Sequence, residues 1–362
     1  MRLGFLDRRP RLSLNDGTEG GKAMTMEPLE TRGGSPAVNP VERLAALVGE
    51  DLQAVDAVIH GRMTSQTPLI PQVAAHLVDS GGKRLRPLIT LAAARQYGYG
   101  GKEHLKLGAA VEFIHTATLL HDDVVDESVL RRGRPAANTV WGNKASVLVG
   151  DFLFSRAFQL MVETGAPQVL GILANASAVI AEGEVMQLRS SKNLAVGEAD
   201  YLKVIAAKTA ALFAAAAEAG AMIAGADAAH SRAMHSYGHN LGIAFQLVDD
   251  ALDYSGRQAV MGKTVGDDFR ECKVTLPIIL SLLNAGDEER RFWRKTIEVG
   301  VQEEGDLSRA IEFLERGGAL ATTVERARNY AREARDALAI APGGDIKSAL
   351  AEIADFVVER AY

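Results

Sequence analysis

The stretch Leu119–Arg134 reads LLHDDVVDESVLRRGR, with four acids in the six residues Asp122–Glu127, directly after an apolar run and just before three arginines. The preceding residues Val111–Leu120, VEFIHTATLL, are too hydrophobic to flank a wholly solvated surface. On a helix, positions i and i+4 share a face, so Asp122 and Asp126 point the same way. Like charges at that spacing cost a bare helix a few tenths of a kcal/mol, so a cation is expected to offset them. Oxygen ligands with no His or Cys ligand beside them suit a hard ion. Mg²⁺ typically takes one or two carboxylates, with waters and substrate phosphates completing its shell.

One D-D-x-x-D motif is ordinarily an exposed helix face, but this one recurs. Asp249-Asp250-Ala251-Leu252-Asp253 has the same spacing and follows the apolar run Leu241–Val248, LGIAFQLV. Two such helices facing each other would hold Mg²⁺ ions around one diphosphate, which points to a cavity.

Basic residues follow at matching places. Gly81-Gly82-Lys83-Arg84-Leu85-Arg86-Pro87 puts three cations on a glycine turn before a helix that Pro87 is suited to start. Helix N-termini favour phosphate, and Arg adds bidentate contacts. Arg131 and Arg132 lie just beyond Asp126, and Lys208, Thr209, Gln246, Lys263 and Lys273 come later. His115 precedes Asp122 by two helical turns and so shares its face. Glu112 and His115 form an E-x-x-H pair, the unit of di-iron bundles, but no second pair exists to complete such a site.

The rest of the 362 residues bounds these possibilities. With 47% hydrophobic and 24% charged residues the chain can bury a large core. A net charge of −6 argues against a nucleic-acid surface. The single cysteine, Cys272, excludes an internal disulfide and favours a reducing, cytoplasmic setting. Residues 1–40 read as a tail, rich in Gly and polar residues and without periodicity, and resemble neither a secretory signal nor a transit peptide. Met24 or Met26 is an alternative start to Met1.

From residue 41 to 362 the sequence has helical spacing broken at Gly, Pro and Asn clusters, with few alternating strand patterns. We therefore expect an all-α fold, a single large helical bundle around a central cavity. The most apolar stretch, Thr209–Ala226, is interrupted by Glu218 and reads as a buried core helix, not a transmembrane segment.

At this point the residues match a known family. The sequence resembles the trans-polyprenyl diphosphate synthases, or polyprenyl synthetases, and is most similar to their long-chain, octaprenyl-to-decaprenyl group. The matching blocks are GGKRLRP, EFIHTATLLHDDVVDESVLRRGRPAANTVWGNKASVLVGD, AAKTAALFAAA, FQLVDDALDY and MGKTVGDDFRECKVTLP.

The resemblance implies the isoprenoid synthase fold, a homodimer and Mg²⁺-dependent elongation of an allylic diphosphate primer with isopentenyl diphosphate. The product would be a long all-trans chain of the kind used for quinone side chains. It assigns Lys83, Arg86, His115 and Arg132 to isopentenyl diphosphate. Asp122 and Asp126, supported by Asp123, would hold metal from one side, and Asp249, Asp250 and Asp253 from the other. Arg131, Lys208, Thr209, Gln246 and Lys263 would meet the allylic substrate, with Asp267, Asp268 and Lys273 behind them. One departure is Cys272, where the family usually has glycine.

The growing chain would run past the residues one turn before Asp122, where Ala117 and Thr118 are small and leave depth for a long product. Readings set against this one are a shorter-chain farnesyl or geranylgeranyl diphosphate synthase, a class I terpene cyclase, a non-catalytic subunit of a heteromeric synthase, and a plain divalent-ion-binding bundle. The cyclase usually carries one D-D-x-x-D, the subunit would lack one, and the bundle gives no reason for the basic blocks.

Overall fold

Helix starts follow local chemistry. Asn39 accepts the N–H of Val41 and Pro40 occupies the first position of α1 (Pro40–Leu47). This is a computed structural model that describes residues 39–255 and 265–360; the expected tail up to residue 38 and Lys263 lie outside them.

After α1 come α2 (Gly49–Arg62), α3 (Leu69–Val78), α4 (Leu85–Gln96) and α5 (Glu103–Val125). A small hairpin, β1 (Leu130–Arg131) and β2 (Arg134–Pro135), leads to α6 (Ala137–Trp141), α7 (Asn143–Glu163) and α8 (Pro167–Ser190). Next, α9 (Glu198–Ile205) passes through a π-helical turn, Ala206–Ala210, into α10 (Ala211–Ile223), followed by α11 (Ala228–Asp253). Beyond it lie α12 (Asp267–Arg270), α13 (Leu276–Leu283), α14 (Asp287–Trp293), α15 (Asp306–Arg316), α16 (Ala319–Ala337) and α17 (Asp345–Glu359).

The fold is all-α, as expected, the two-residue strands being the departure. Pro87 is the third residue of α4, not its start, and still lies in the first turn, where no intrahelical N–H is required.

The motif-bearing helices α5 and α11 sit among the others: α5 packs on α7 and α4, and α10 packs on α11, α4 and α8. Glycines allow the closest of these approaches. A Cβ on Gly238 of α11 would stand 2.3 Å from the Phe213 carbonyl oxygen, and one on Gly242 would stand 2.6 Å from Ala210 Cα. Among the described residues, three helical runs are long and apolar enough to cross a membrane by length and composition: α7, α8 and Glu198–Ile223. The last is 78% buried inside the fold, so the Thr209–Ala226 stretch is core. In α7 and α8 the corresponding shares are 39% and 28%, which leaves apolar side chains such as Leu148, Val162 and Val185 exposed.

Candidate active site

The two acidic motifs occupy the C-terminal ends of their helices. Asp122 lies in the last turn of α5 and Asp126 caps it, its N–H bonding the Asp122 carbonyl at 2.8 Å. Each faces an amine: Lys208 Nζ is 3.5 Å from Asp122, and Lys273 Nζ donates to Asp126 at 2.9 Å. Burial pulls the Lys273 ammonium down, but Asp126, Asp268 and Glu271 more than reverse this and hold it above its ordinary range. Asp123 points away from these two. It is fully buried and accepts Nε of Arg131 at 2.8 Å, burial raising its carboxyl while Arg131 opposes the rise.

In the second motif Asp249 accepts from Arg360, at the end of α17, at 3.0 Å. Both oxygens of Asp253 accept backbone N–H groups at the start of α12, from Asp267 at 3.2 Å and Asp268 at 3.0 Å. Burial still pushes the Asp253 carboxyl up to about 6. Asp250 is buried, its carboxyl raised to about 7 by burial against the lowering effect of bonds from Tyr201 and Gln246.

The basic blocks converge through the hairpin. Arg132 and Gly133 both have positive φ, 52° and 74°, the pair a two-residue I′ turn demands. This turn sends Arg132 to the Gly81 carbonyl and to Ser80 Oγ at 3.3 Å, and a Cβ on Gly82 would stand 3.1 Å from its guanidinium. Arg84, itself at φ 47°, binds Glu112 at 2.9 Å and Asp56 at 3.1 Å, so it tethers the glycine turn. The Glu112–Arg84 pair also shows what the E-x-x-H glutamate does here.

Arg86 donates to His115 Nε2 at 3.2 Å and lies 4.2 Å over the Phe213 ring. Burial, then Arg86, Arg132 and Arg131, hold His115 well below its usual range, so it stays neutral and accepts. Lys83 lies 5.2 Å over the Phe356 ring of α17, and its ammonium is lowered by burial and Arg360 while Glu42 and Asp249 raise it. Asp249 also supports the charge of Arg86, which ties the basic cluster to the second motif.

Between the motifs lies a cavity of about 430 Å³ whose walls include Asp126, Lys208, Thr209, Gln246, Asp250 and Lys273, with apolar Val204, Ile205 and Val274. Asp126 and Asp250, one acid from each motif, thus meet Lys208, Thr209 and Gln246 of the expected allylic contacts at one opening, whereas Arg131 is not among its walls. Ala117 is fully buried in the core. Thr118 is half-buried on the stripe of α5 that also shows His115 and Asp122. Among the described residues, no three His, Cys, Asp or Glu side chains form a complete metal cage. An all-oxygen donor set paired with lysines fits a hard ion that shares its shell with a diphosphate.

Sequence reasoning missed Glu184, Tyr201 and Arg360. Glu184 Oε2 accepts from Lys208 at 2.7 Å, and burial followed by Asp122 raises its carboxyl. Tyr201 stands two helical turns before Lys208, a spacing that would have placed it on the same face. Nothing local marks Arg360, because its partner is 111 residues away.

A family model described as polyprenyl synthetase matches residues 67–314. The octaprenyl diphosphate synthase of Haemophilus influenzae is 43% identical over 322 residues, 89% of this chain and 98% of that protein. The crystal structure of a Caulobacter crescentus polyprenyl synthase complexed with calcium and isoprenyl diphosphate is 55% identical, with TM-score 0.86 over 89% of this chain and 98% of its own. A decaprenyl diphosphate synthase from Rhodobacter capsulatus is 56% identical, with TM-score 0.86 over 89% of this chain and 100% of its own. On fold, motifs and kinship alike, the chain belongs to the polyprenyl synthetase family and is a prenyltransferase.

Proposed function

We propose that this enzyme extends an allylic diphosphate primer with isopentenyl diphosphate to an octaprenyl-to-decaprenyl product, and that Mg²⁺ is its metal. The observation that carries this reading is the cavity onto which Asp126, Asp250, Lys208 and Lys273 all open, with the names of the similar enzymes supporting the long product.

In the reaction the allylic C–O bond breaks, diphosphate departs, the alkene of isopentenyl diphosphate attacks the allylic carbon, and a proton is lost. Negative charge grows on the leaving diphosphate, so cationic groups aimed at it lower the barrier. Mg²⁺ held by Asp122 and Asp126 on one side, and Asp249 and Asp253 on the other, would supply charge to the leaving group. Lys208 and Thr209 sit where they would bind the allylic diphosphate, joined by Gln246. Arg86, His115, Lys83 and Arg132 form the separate cluster that would bind isopentenyl diphosphate. Neutral His115 orients Arg86 by accepting from it. Apolar walls keep water from an electron-poor carbon. Lys263 and Arg131 belong to the allylic set by resemblance alone, since Arg131 is held by buried Asp123 and does not line the cavity.

The exposed apolar stripes of α7 and α8 support a homodimer built on them, which sedimentation at assay concentration checks. Quinone side chains and a cytoplasmic setting complete the reading. The site assignment is tested with Asp122→Asn: elongation is expected to fall at least about 100-fold in Mg²⁺ while the protein stays folded. Full activity in that variant would remove the first motif from the reaction.

A further inference from the structure

The π-helical turn Ala206–Ala210 carries both Lys208 and Thr209, and its backbone lies against two neighbours that leave it no free room. A Cβ on Gly183 of α8 would stand 2.7 Å from Lys208 N, and Gly242 of α11 abuts Ala210. Such a turn is one residue wider than the α-helix on either side, so its register has to be held as well as packed.

Side-chain bonds bracket it. On its N-terminal side Tyr201, only 4% exposed, donates its hydroxyl to Asp250 Oδ2. On its own strand of backbone Thr209 Oγ1 donates to Gln246 Oε1 at 2.8 Å, and Gln246 Nε2 donates to Asp250 Oδ1 at 2.7 Å. Asp250 is 3% exposed, and each of its oxygens is engaged by one arm of this relay. One carboxylate on α11 therefore grips the chain on both sides of Lys208, whose amine lies between Glu184 and Asp122.

We propose that Asp250, with Tyr201 and Gln246, is a clamp that locks the π-turn and so sets where Lys208 presents its ammonium. Asp250 and Tyr201 are positioning residues in this arrangement: they act on the allylic diphosphate through Lys208 and Thr209. The second D-D-x-x-D then divides its labour, Asp249 and Asp253 serving the metal side and Asp250 serving the turn. Asp268, half-buried on α12, is a like charge beside Asp250, while Lys273, in the segment before α13, is engaged by Asp126 and Glu271, so the clamp sits in a charged surround.

The consequence for diphosphate binding rests on the role given above to Lys208, and the clamp itself does not. The test uses full-length protein and Tyr201→Phe, which removes one hydroxyl and no carbon. Hydrogen exchange read by mass spectrometry is expected to show the amides of residues 206–211 exchanging at least about ten-fold faster, a larger change than at the amides of α4. Calorimetry with inorganic diphosphate and Mg²⁺ is expected to show about ten-fold weaker binding. The KM for the allylic primer should rise while that for isopentenyl diphosphate holds. Thr209→Val, at the other end of the relay, should loosen the same amides, and serves if Tyr201→Phe does not fold. Unchanged exchange at residues 206–211 would overturn the clamp. Faster exchange there with unaltered diphosphate affinity would keep the clamp and discard the role assigned to Lys208.

Discussion

Cys272 shows how one residue can be awkward and still be read. It has φ 54°, the left-handed region where glycine is at ease and other residues carry a cost of about 1–2 kcal/mol. The family habit of glycine here thus has a backbone cause. Its thiol is buried against the Thr296 carbonyl at 3.6 Å, which offsets part of that cost. Cys272→Gly is expected to stay within about 1 kcal/mol of wild type in urea unfolding, and Cys272→Val to lose about 2 kcal/mol or more, because a β-branched residue fits this region worst. Equal losses in the two would contradict the backbone account.

His115 makes a pH prediction of definite sign. Unfolded, its imidazole takes a proton near pH 6.5; folded, it stays neutral to lower pH. Between those values the unfolded state binds more protons, so this histidine costs stability as pH falls below about 6.5. The urea midpoint of His115→Gln should gain on wild type between pH 7.5 and 5.5, and a constant gap would show that His115 is not held neutral. At this scale the sequence was informative where two residues share one helix face within two turns, as His115 and Asp122 do, and silent for Arg360, whose partner is distant.

Elements place these residues through close approach. The contact of Gly238 with the Phe213 carbonyl sets the spacing of α10 and α11, and hence of Lys208 from the second motif. Gly238→Ala would force a Cβ to within 2.3 Å of backbone that has no rotamer to escape by. A loss of about 2–3 kcal/mol is expected, with weaker elongation beyond the stability effect, and an unchanged unfolding midpoint would refute the close packing.

Helices and their apolar faces were legible because hydrophobic period and breakers are local signals. The hairpin was less so, since two two-residue strands leave no alternating pattern; only Arg132-Gly133 hinted at its turn. The π-turn was invisible, because AAKTAALFAAA has helical composition throughout and nothing local in it marks the wider turn.

At the scale of the molecule, two acid motifs far apart in sequence come to one cavity, and basic residues from the glycine turn, the hairpin and α5 come together beside the second motif. That convergence was inferable from repetition and from resemblance, whereas the tether between α17 and Asp249 was not. Product length is the property that depends on the whole bundle: a chain growing from the charged mouth must find depth beyond α5, where Thr118 stands on the open stripe and Ala117 lies in the core. Thr118→Phe should therefore shorten the product while the first condensation proceeds.

The central claim is tested most directly by supplying purified full-length protein with farnesyl diphosphate, labelled isopentenyl diphosphate and Mg²⁺, and sizing the dephosphorylated products by mass spectrometry. Octaprenyl-to-decaprenyl alcohols that vanish on chelation are the expected result. Products that stop at geranylgeranyl, or no metal-dependent elongation at all, would contradict it.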